Sequence, residues 1–362
     1  MCDSAPKKDK IMKIIIDVMS GDNAPVETLV GVHKALEQPY SEGVEYILVG
    51  DEAVINKIAA EKKIDISKCE IRHTDLSLTM EDDPMAVMKD KKNSSLGLGL
   101  QMLAAGEGDA FVSCGNTGAL FTGATLIVKR VKGIQRAGIG AILPLSAPFM
   151  LIDSGASVKP NEDYMVGFAM MGSAYMKAIY GIDEPRVALL NNGAEEHKGT
   201  ELQQITHQKL KENKRINFIG NIEGNGLALG ACDVAVSDGF TGNVTLKTIE
   251  GMGKLMSKEL KSIFKSGLGG VLAYLLVRGK MKNFKKKFDS SEHGGAPILG
   301  LSKTVVKAHG SSDAKAFANA IRQAINCVNK NVVDIIAADA AKYAEEKLEA
   351  EKKAAQSEPK AE

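Results

Sequence analysis

Short apolar runs recur along the chain, each closed by a loop of glycine, asparagine or aspartate and followed by a stretch with helical spacing. KIIIDV at 13–18 leads through MSGDNAP to a helical pattern over 26–37. VEYILV at 44–49 leads through Gly50 and Asp51 to a second one reaching about residue 62. Residues 70–73, 109–113, 149–153, 186–190 and 233–237 read as further strands. Helical patterns cover 119–131, 164–180 and 313–338, and another helix, carrying Lys89, Lys91 and Lys92, is expected after MEDDP. Strands alternating with helices imply a parallel sheet covered on both faces, so the fold class is α/β.

The pattern is sharpest at 233–251, DVAVSDGFTGNVTLKTIEG, where a strand runs into a glycine-rich loop at 238–243 and a helix over 244–250. A helix opening directly off a strand directs free N–H groups and the positive end of its dipole into that loop, a setting for phosphate or an oxyanion. An ordinary strand-to-helix turn is the bland alternative. No Gly-Lys-Ser/Thr follows, so it is not a Walker loop. DAFVS at 109, followed by CGNTG, echoes DVAVS at 233 and suggests two related halves whose loops meet.

Elsewhere the loop NNGAEEHKG delivers Glu195, Glu196, His197 and Lys198 to the carboxyl end of a strand, where open α/β sheets bind ligands. The Met-, Ala- and Gly-rich helix at 164–180 suits close packing or a dimer face. GLGGVLAYLLVRG, from 267, breaks the α/β alternation. Leu268, Val271, Leu272, Leu275 and Leu276 precede a lysine cluster within 267–288, which reads as a peripheral membrane contact or as a buried helix with a basic flank. Residues 1–10 form a charged extension, 11–338 one α/β domain, and 339–362 an Ala/Glu/Lys tail expected to fray.

Composition narrows the class without naming a ligand. With 44% hydrophobic and 25% charged residues the chain is globular, and its formal charge of +1 argues against general nucleic-acid binding. Five scattered cysteines with no CxxC pair indicate neither a disulfide framework nor zinc, and no apolar run is long enough to span a membrane. A cytoplasmic protein fits.

Taken in order, IDVMSGDNAP (16–25), KKNSS (91–95), VSCGNTGA (112–119), IDSGA (152–156), the loop from Glu195 to Gly199, GNIEG (220–224), SDGFTGNVTLKTIEG (237–251), GGAPILG (294–300) and HGSS (309–312) resemble the bacterial phosphate acyltransferase family, PlsX, over roughly 11–330. The resemblance implies transfer of a fatty acyl group from acyl carrier protein to inorganic phosphate, giving acyl phosphate for phospholipid synthesis. It also implies a three-layer α/β/α fold of isocitrate dehydrogenase type with pseudo-symmetric halves, a homodimer, and peripheral attachment to the inner face of the cytoplasmic membrane through 267–288. Ser20, Cys114, Ser157 and Asn225 depart from the family's usual residues. Asn225, which stands where an arginine is frequent, is left out of the functional set.

Attack of phosphate on a thioester needs a cradle for the dianion, donors for the oxyanion and charge relief for the departing thiolate, but no metal or cofactor. The family's functional positions map onto Lys198, a mobile positive charge, and Asn243, a neutral donor. Asn116, Thr117, Gly118, Asp238, Gly239, Thr241 and Gly242 are candidates for the anion cradle, with Asp17, Asp22 and His309 in support. A phosphotransacetylase-like enzyme using acyl-CoA and a non-catalytic membrane-surface adaptor are the rivals. Cys114, at a strand end beside a helix start, has the setting of a nucleophile. Direct attack by phosphate is nonetheless expected, since phosphate needs no covalent relay.

Overall fold

The computed structural model describes residues 11–287 and 294–357. In chain order its elements are β1 (Met12–Asp17), α1 (Val26–Leu36), β2 (Val44–Gly50), α2 (Glu52–Lys62), β3 (Cys69–His73), α3 (Ser95–Ala105), β4 (Ala110–Ser113) and α4 (Thr117–Gly123). There follow β5 (Gly138–Ile139), β6 (Ala141–Pro144), β7 (Pro148–Ile152), α5 (Glu162–Tyr180), β8 (Arg186–Leu190), α6 (Glu201–Glu212), β9 (Asn217–Ile222), α7 (Gly224–Ala228), β10 (Val234–Val236), α8 (Gly239–Lys265) and α9 (Gly267–Lys287). The chain closes with β11 (Ala296–Leu299), β12 (Thr304–Lys307), α10 (Ala314–Asn329) and α11 (Val332–Ser357). These elements form two compact units: one of residues 11–128, 294–297 and 303–328, the other of 129–287, 298–302 and 329–357.

In the first unit the strands run β3-β2-β1-β4-β12-β11. Ile14, Ile15 and Ile16 are fully buried because both faces of β1 are covered, as a central parallel strand requires. Ile14 and Ile16 join the side chains of α1, α2 and α10 in one core. The opposite face takes α3, where a Cβ on Gly99 would lie 2.3 Å from the Phe111 ring. Helix α3 starts where the Ser94 hydroxyl accepts the Gly97 N–H at 3.2 Å.

The second unit orders its strands β6-β7-β10-β8-β9. Helix α5 packs on one face with α6 and α11 beside it, and Leu246 and Ile249 of α8 close the other over Phe149, Leu151, Ala188 and Ala235. The small residues of α5 serve this packing: a Cβ on Gly172 would meet Val234 at 2.6 Å.

Written from one edge, β2-β1-β4-β12-β11 and β9-β8-β10-β7-β6 are the same sheet. Every neighbouring pair is parallel except the last, which is antiparallel in both. The antiparallel pair comes last in the chain in the first unit and first in the second, so the units are circular permutations of one plan. The 109/233 echo falls on equivalent strands. Asp109 takes the Lys13 N–H at 2.9 Å and gives its own N–H to Lys13 O at 2.8 Å; Asp233 does the same with Arg186 at 2.8 and 2.9 Å.

Several sequence expectations are corrected. The expected helix carrying Lys89, Lys91 and Lys92 is a 3₁₀ turn, Pro84–Met88, capped by Asp83 and followed by turns, with Lys91 paired to Asp82 at 2.6 Å. The expected helix at 119–131 is α4 prolonged by a π segment, Ala124–Val128. The pattern at 313–338 splits at Asn331, whose φ is 50°. The 339–357 part of the tail does not fray. It is helical in α11, with Ala340 buried and Arg215 paired to Asp339 at 3.1 Å and Glu346 at 2.8 Å. Residues 1–10, 288–293 and 358–362 lie outside the described residues.

Candidate active site

The residues 239–243, expected as a loop, are the first turn of α8. Asp238 is its N-cap, and its Oδ1 accepts the N–H groups of Phe240 at 3.0 Å and Thr241 at 2.8 Å, while the Gly239 N–H goes to Ser157 O at 2.8 Å. The free donors expected there are thus taken, one by a backbone carbonyl and two by a carboxylate that also neutralises the helix dipole. Nor do the glycines serve positive φ. A Cβ on Gly242 would lie 2.0 Å from Asp153 O, and one on Gly239 would lie 2.7 Å from Ser157 N, so both are required by close backbone approach. Thr241 is exposed.

Asn243, one turn into α8, donates from Nδ2 to Ser154 O at 3.1 Å. Its acceptor belongs to a turn at the end of β7 built around Asp153, fully buried, whose carboxylate takes N–H groups from Ile139, Gly155, Ala156 and Ser157 at 2.6–3.2 Å. Burial pushes this carboxyl up from its ordinary pKa, against the four backbone bonds that favour its charge. Arg136 reaches the same turn, Nε to Ser157 Oγ at 2.8 Å.

Lys198 sits in the loop after β8, which pairs in parallel with β10, so Lys198 and Asn243 lie at the carboxyl ends of neighbouring strands. The loop is tightly bonded. Asn191 Nδ2 donates to Lys198 O at 3.1 Å, the Lys198 N–H goes to Glu195 O at 3.1 Å, and Asn221 Nδ2 holds Glu195 O at 2.8 Å. The Lys198 stem lies over Gly193, where a Cβ would meet its Cγ at 2.8 Å. Among the described residues its half-buried ammonium has no ion-pair partner.

The first unit gathers its own candidates at the ends of β1, β4 and β12. Asn116 caps α4, accepting the Ala119 N–H at 3.1 Å, while its Nδ2 donates to Met80 O at 2.8 Å and Asp82 O at 3.3 Å. The N–H groups of exposed Thr117 and half-buried Gly118 make no recorded bond among the described residues. Asp17 is fully buried and takes the Ser113 hydroxyl at 2.7 Å and the Met19 N–H at 3.1 Å, so it fixes the loop rather than facing solvent. Asp22 and His309 flank Gly310: the Asp22 N–H meets Gly310 O at 2.8 Å, and His309 Nδ1 lies 2.9 Å from Ser311 Oγ. Lys307, which the sequence reading passed over, is buried at the end of β12 and donates from Nζ to the carbonyls of Ala308 and Cys114, the latter at 3.3 Å.

In the 267–288 segment, Val271, Leu272, Leu275 and Leu276 are exposed on α9, Leu276 at 81%; the Leu268 side chain is outside the described ones. No described helix is long and apolar enough to cross a membrane. Among the described residues no group of His, Cys, Asp and Glu is arranged to hold a metal ion.

Comparison with known proteins brings the site into a family. The model of the family described as fatty acid synthesis protein matches residues 12–335. A phosphate acyltransferase from Bacillus licheniformis is 43% identical over 327 residues, 90% of this chain and 97% of that one. One from Thermoanaerobacterium thermosaccharolyticum is 42% identical over 326 residues, 90% of this chain and 96% of that one. Among solved structures, a phosphotransacetylase from Streptococcus pyogenes superposes with a TM-score of 0.59 at 15% identity, covering 89% of this chain and 95% of the other. The EutD phosphotransacetylase from Staphylococcus aureus gives 0.55 at 15% identity, with 88% and 94% covered. Likeness at that identity concerns the fold alone and agrees with the α/β architecture. At 42–43% identity over nine-tenths of the sequence, the chain belongs to the phosphate acyltransferase family.

Proposed function

We propose that this protein moves a fatty acyl group from acyl carrier protein onto inorganic phosphate, forming the acyl phosphate used in phospholipid synthesis. The observation that carries the reading is the placement of Lys198 and Asn243 at the carboxyl ends of two adjacent parallel strands in a chain of this family. A phosphate oxygen attacks the thioester carbonyl, and the carbonyl oxygen becomes an oxyanion that the Lys198 ammonium and the second Nδ2 hydrogen of Asn243 stabilise. Collapse of this intermediate breaks the carbon–sulfur bond, and the thiolate leaves with its charge relieved by Lys198. Within the first unit Asn116 positions the start of α4, where Thr117 and Gly118 supply N–H donors for an anion; within the second, Asp238, Gly239, Thr241 and Gly242 fix the start of the helix that carries Asn243.

The exposed apolar residues of α9, followed by lysines, suit a reversible contact with an anionic membrane surface, and we assign the protein to the inner face of the cytoplasmic membrane as a homodimer. The phosphotransacetylase-like fold favours one second reading, acyl-CoA as the donor. Incubation with palmitoyl carrier protein, palmitoyl-CoA or neither, followed by measurement of phosphate-dependent thioester loss, separates them. Turnover with the carrier substrate is expected; turnover with CoA alone would replace this reading with the second. Loss in neither arm would leave a non-catalytic role. Co-sedimentation with phosphatidylglycerol vesicles, expected for the native chain and absent for Leu272→Glu, tests the membrane contact.

A further inference from the structure

Asn243 carries its reactive carboxamide on the exposed start of a helix, where an unheld side chain would rotate. What holds it is a turn, residues 154–157, through the Ser154 carbonyl at 3.1 Å. The fit is close on a second side, since a Cβ on Gly155 would lie 2.8 Å from Asn243 Nδ2. The same turn receives the first N–H of α8 through Ser157 O at 2.8 Å, so helix and carboxamide are both registered on it.

Two side chains secure that turn. Asp153 binds its N–H groups from the inside. Arg136, half-buried and arriving from the loop before β5, binds it from outside, with Nε on Ser157 Oγ at 2.8 Å and Nη2 on Ala156 O at 3.4 Å. A planar guanidinium can hold two acceptors in one rigid fork; a lysine ammonium, a point charge on a flexible stem, cannot reproduce that geometry.

We propose that Arg136 is a positioning residue of the acyl-transfer site, acting through the 154–157 turn to fix the carboxamide of Asn243. The proposal rests on the reading of Asn243 as an oxyanion donor. Displacing a donor by a fraction of an ångström costs turnover while leaving substrate binding largely intact, because the interaction is made only in the transition state.

The test is a double-mutant cycle in the full-length protein, with kcat and KM measured for phosphate and for acyl carrier substrate. Arg136→Met should lower kcat by about ten- to a hundredfold with both KM values within about twofold of native, and Arg136→Lys should fall between. In an Asn243→Ala background, Arg136→Met should cost no more than about another twofold, because the group it positions is already gone. Ser157→Ala, which removes one bond of the clamp and leaves the charge, keeps the test usable should Arg136→Met fold poorly; a small kcat loss, again abolished in the Asn243→Ala background, is expected. Losses that multiply in the double variant, or a KM for phosphate that rises alone, would show Arg136 acting independently on the anion and overturn the proposal. A native rate for Arg136→Met beside a crippled Asn243→Ala overturns the positioning role alone, whereas a native rate for Asn243→Ala overturns the oxyanion reading beneath it.

Discussion

The passages from β4 into α4 and from β10 into α8 begin as copies and end as opposites. Just before each strand stands an aspartate bonded to a residue at the start of the adjacent strand, Lys13 or Arg186, and at each strand's end stands a buried serine, Ser113 or Ser237. In the first unit Cys114 and Gly115 then intervene, and the cap is the neutral Asn116; in the second the anionic Asp238 caps at once. The neighbouring strand repeats the inversion. Lys307 is paired with Ser113, and the matching register position beside Ser237 is Asp153. One unit therefore has a buried lysine bonded to carbonyls, the other a buried aspartic acid side chain bonded to amides. The lesson is electrostatic. In the first unit the N–H groups of Thr117 and Gly118 make no bond among the described residues, which is the setting we propose for an anion. In the second, the first-turn donors of α8 are taken by the Asp238 carboxylate and the Ser157 carbonyl, so the anion attraction we propose there rests on side chains, chiefly Lys198.

The largest effects should therefore come from side chains in the second unit. Lys198→Ala and Asn243→Ala are each expected to lower kcat about a hundredfold or more, the cost of losing an oxyanion donor, with little change in melting temperature. Asn116→Ala should instead act mainly on stability, through loss of a cap worth about 1 kcal/mol. Steady-state kinetics beside thermal melts decide this, and near-native turnover in both Lys198→Ala and Asn243→Ala would remove the asymmetry.

Next in size is the contrast between two glycines in the echoed segments. Gly242→Ala would push a methyl to 2.0 Å from a backbone carbonyl, whereas Gly118→Ala would meet the Pro84 ring at 2.8 Å. The first should cost about 3 kcal/mol and abolish activity, the second about 1 kcal/mol, part of it recovered because alanine suits a helix better than glycine. Equal costs by chemical denaturation would mean that α8 can shift away from the β7 turn.

The strand-opening aspartates differ by less. Burial pushes Asp233 up, but three bonds from Arg186 outweigh this and hold it below the ordinary carboxylate range. With a depressed folded pKa, its contribution is present above the unfolded value near 3.9 and is lost as pH falls through the folded one. Asp233→Asn should thus cost about 1–2 kcal/mol at pH 7, discounted because the Arg186 side chain is 43% exposed, and progressively less as pH falls below the unfolded value and through the folded one. Asp109→Asn should cost about 0.5–1 kcal/mol at pH 7. An Asp233 deficit that persists unchanged in acid would show that its charge contributes nothing.

How legible this was depended on range. KIIIDV, RVALL and DVAVS declared themselves as buried parallel strands because burial on both faces leaves an unbroken apolar run. The two-residue β5 and the half-exposed β9 carry no such run. Glycine's freedom and its smallness look identical in a sequence, so Gly239 and Gly242 read as loop residues, although it is the backbone of Ser157 beside the first and of Asp153 beside the second that requires them. The tail looked unanchored because its anchor, Arg215, lies more than a hundred residues upstream. Arg136 was missed for the same reason, its partners being 20 and 21 residues away across a turn.

The smallest effect is expected at Cys114, where the two passages differ by a residue that resembles a nucleophile. The thiol follows a strand end and stands three residues before a helix, the setting that lowers a thiol pKa when it is solvated and faces the helix N–H groups. Here it is 2% exposed, and burial pushes the thiol up to about 12, with Asp17 and Asp22 adding to the rise and Lys307 only partly opposing it. At neutral pH the thiolate is then populated at roughly one part in a hundred thousand. A Cβ on Gly21 would lie 2.7 Å from Cys114 Cβ, so the Gly21 loop packs tightly against this residue. These features agree with the proposal that phosphate itself is the nucleophile. Cys114→Ala should retain most of the turnover, losing about 1 kcal/mol of stability for the missing sulfur. Mass spectrometry of the native protein given acyl carrier substrate without phosphate should find no acyl adduct. A stoichiometric adduct on Cys114 that added phosphate discharges would overturn direct attack and move the chemistry into the first unit.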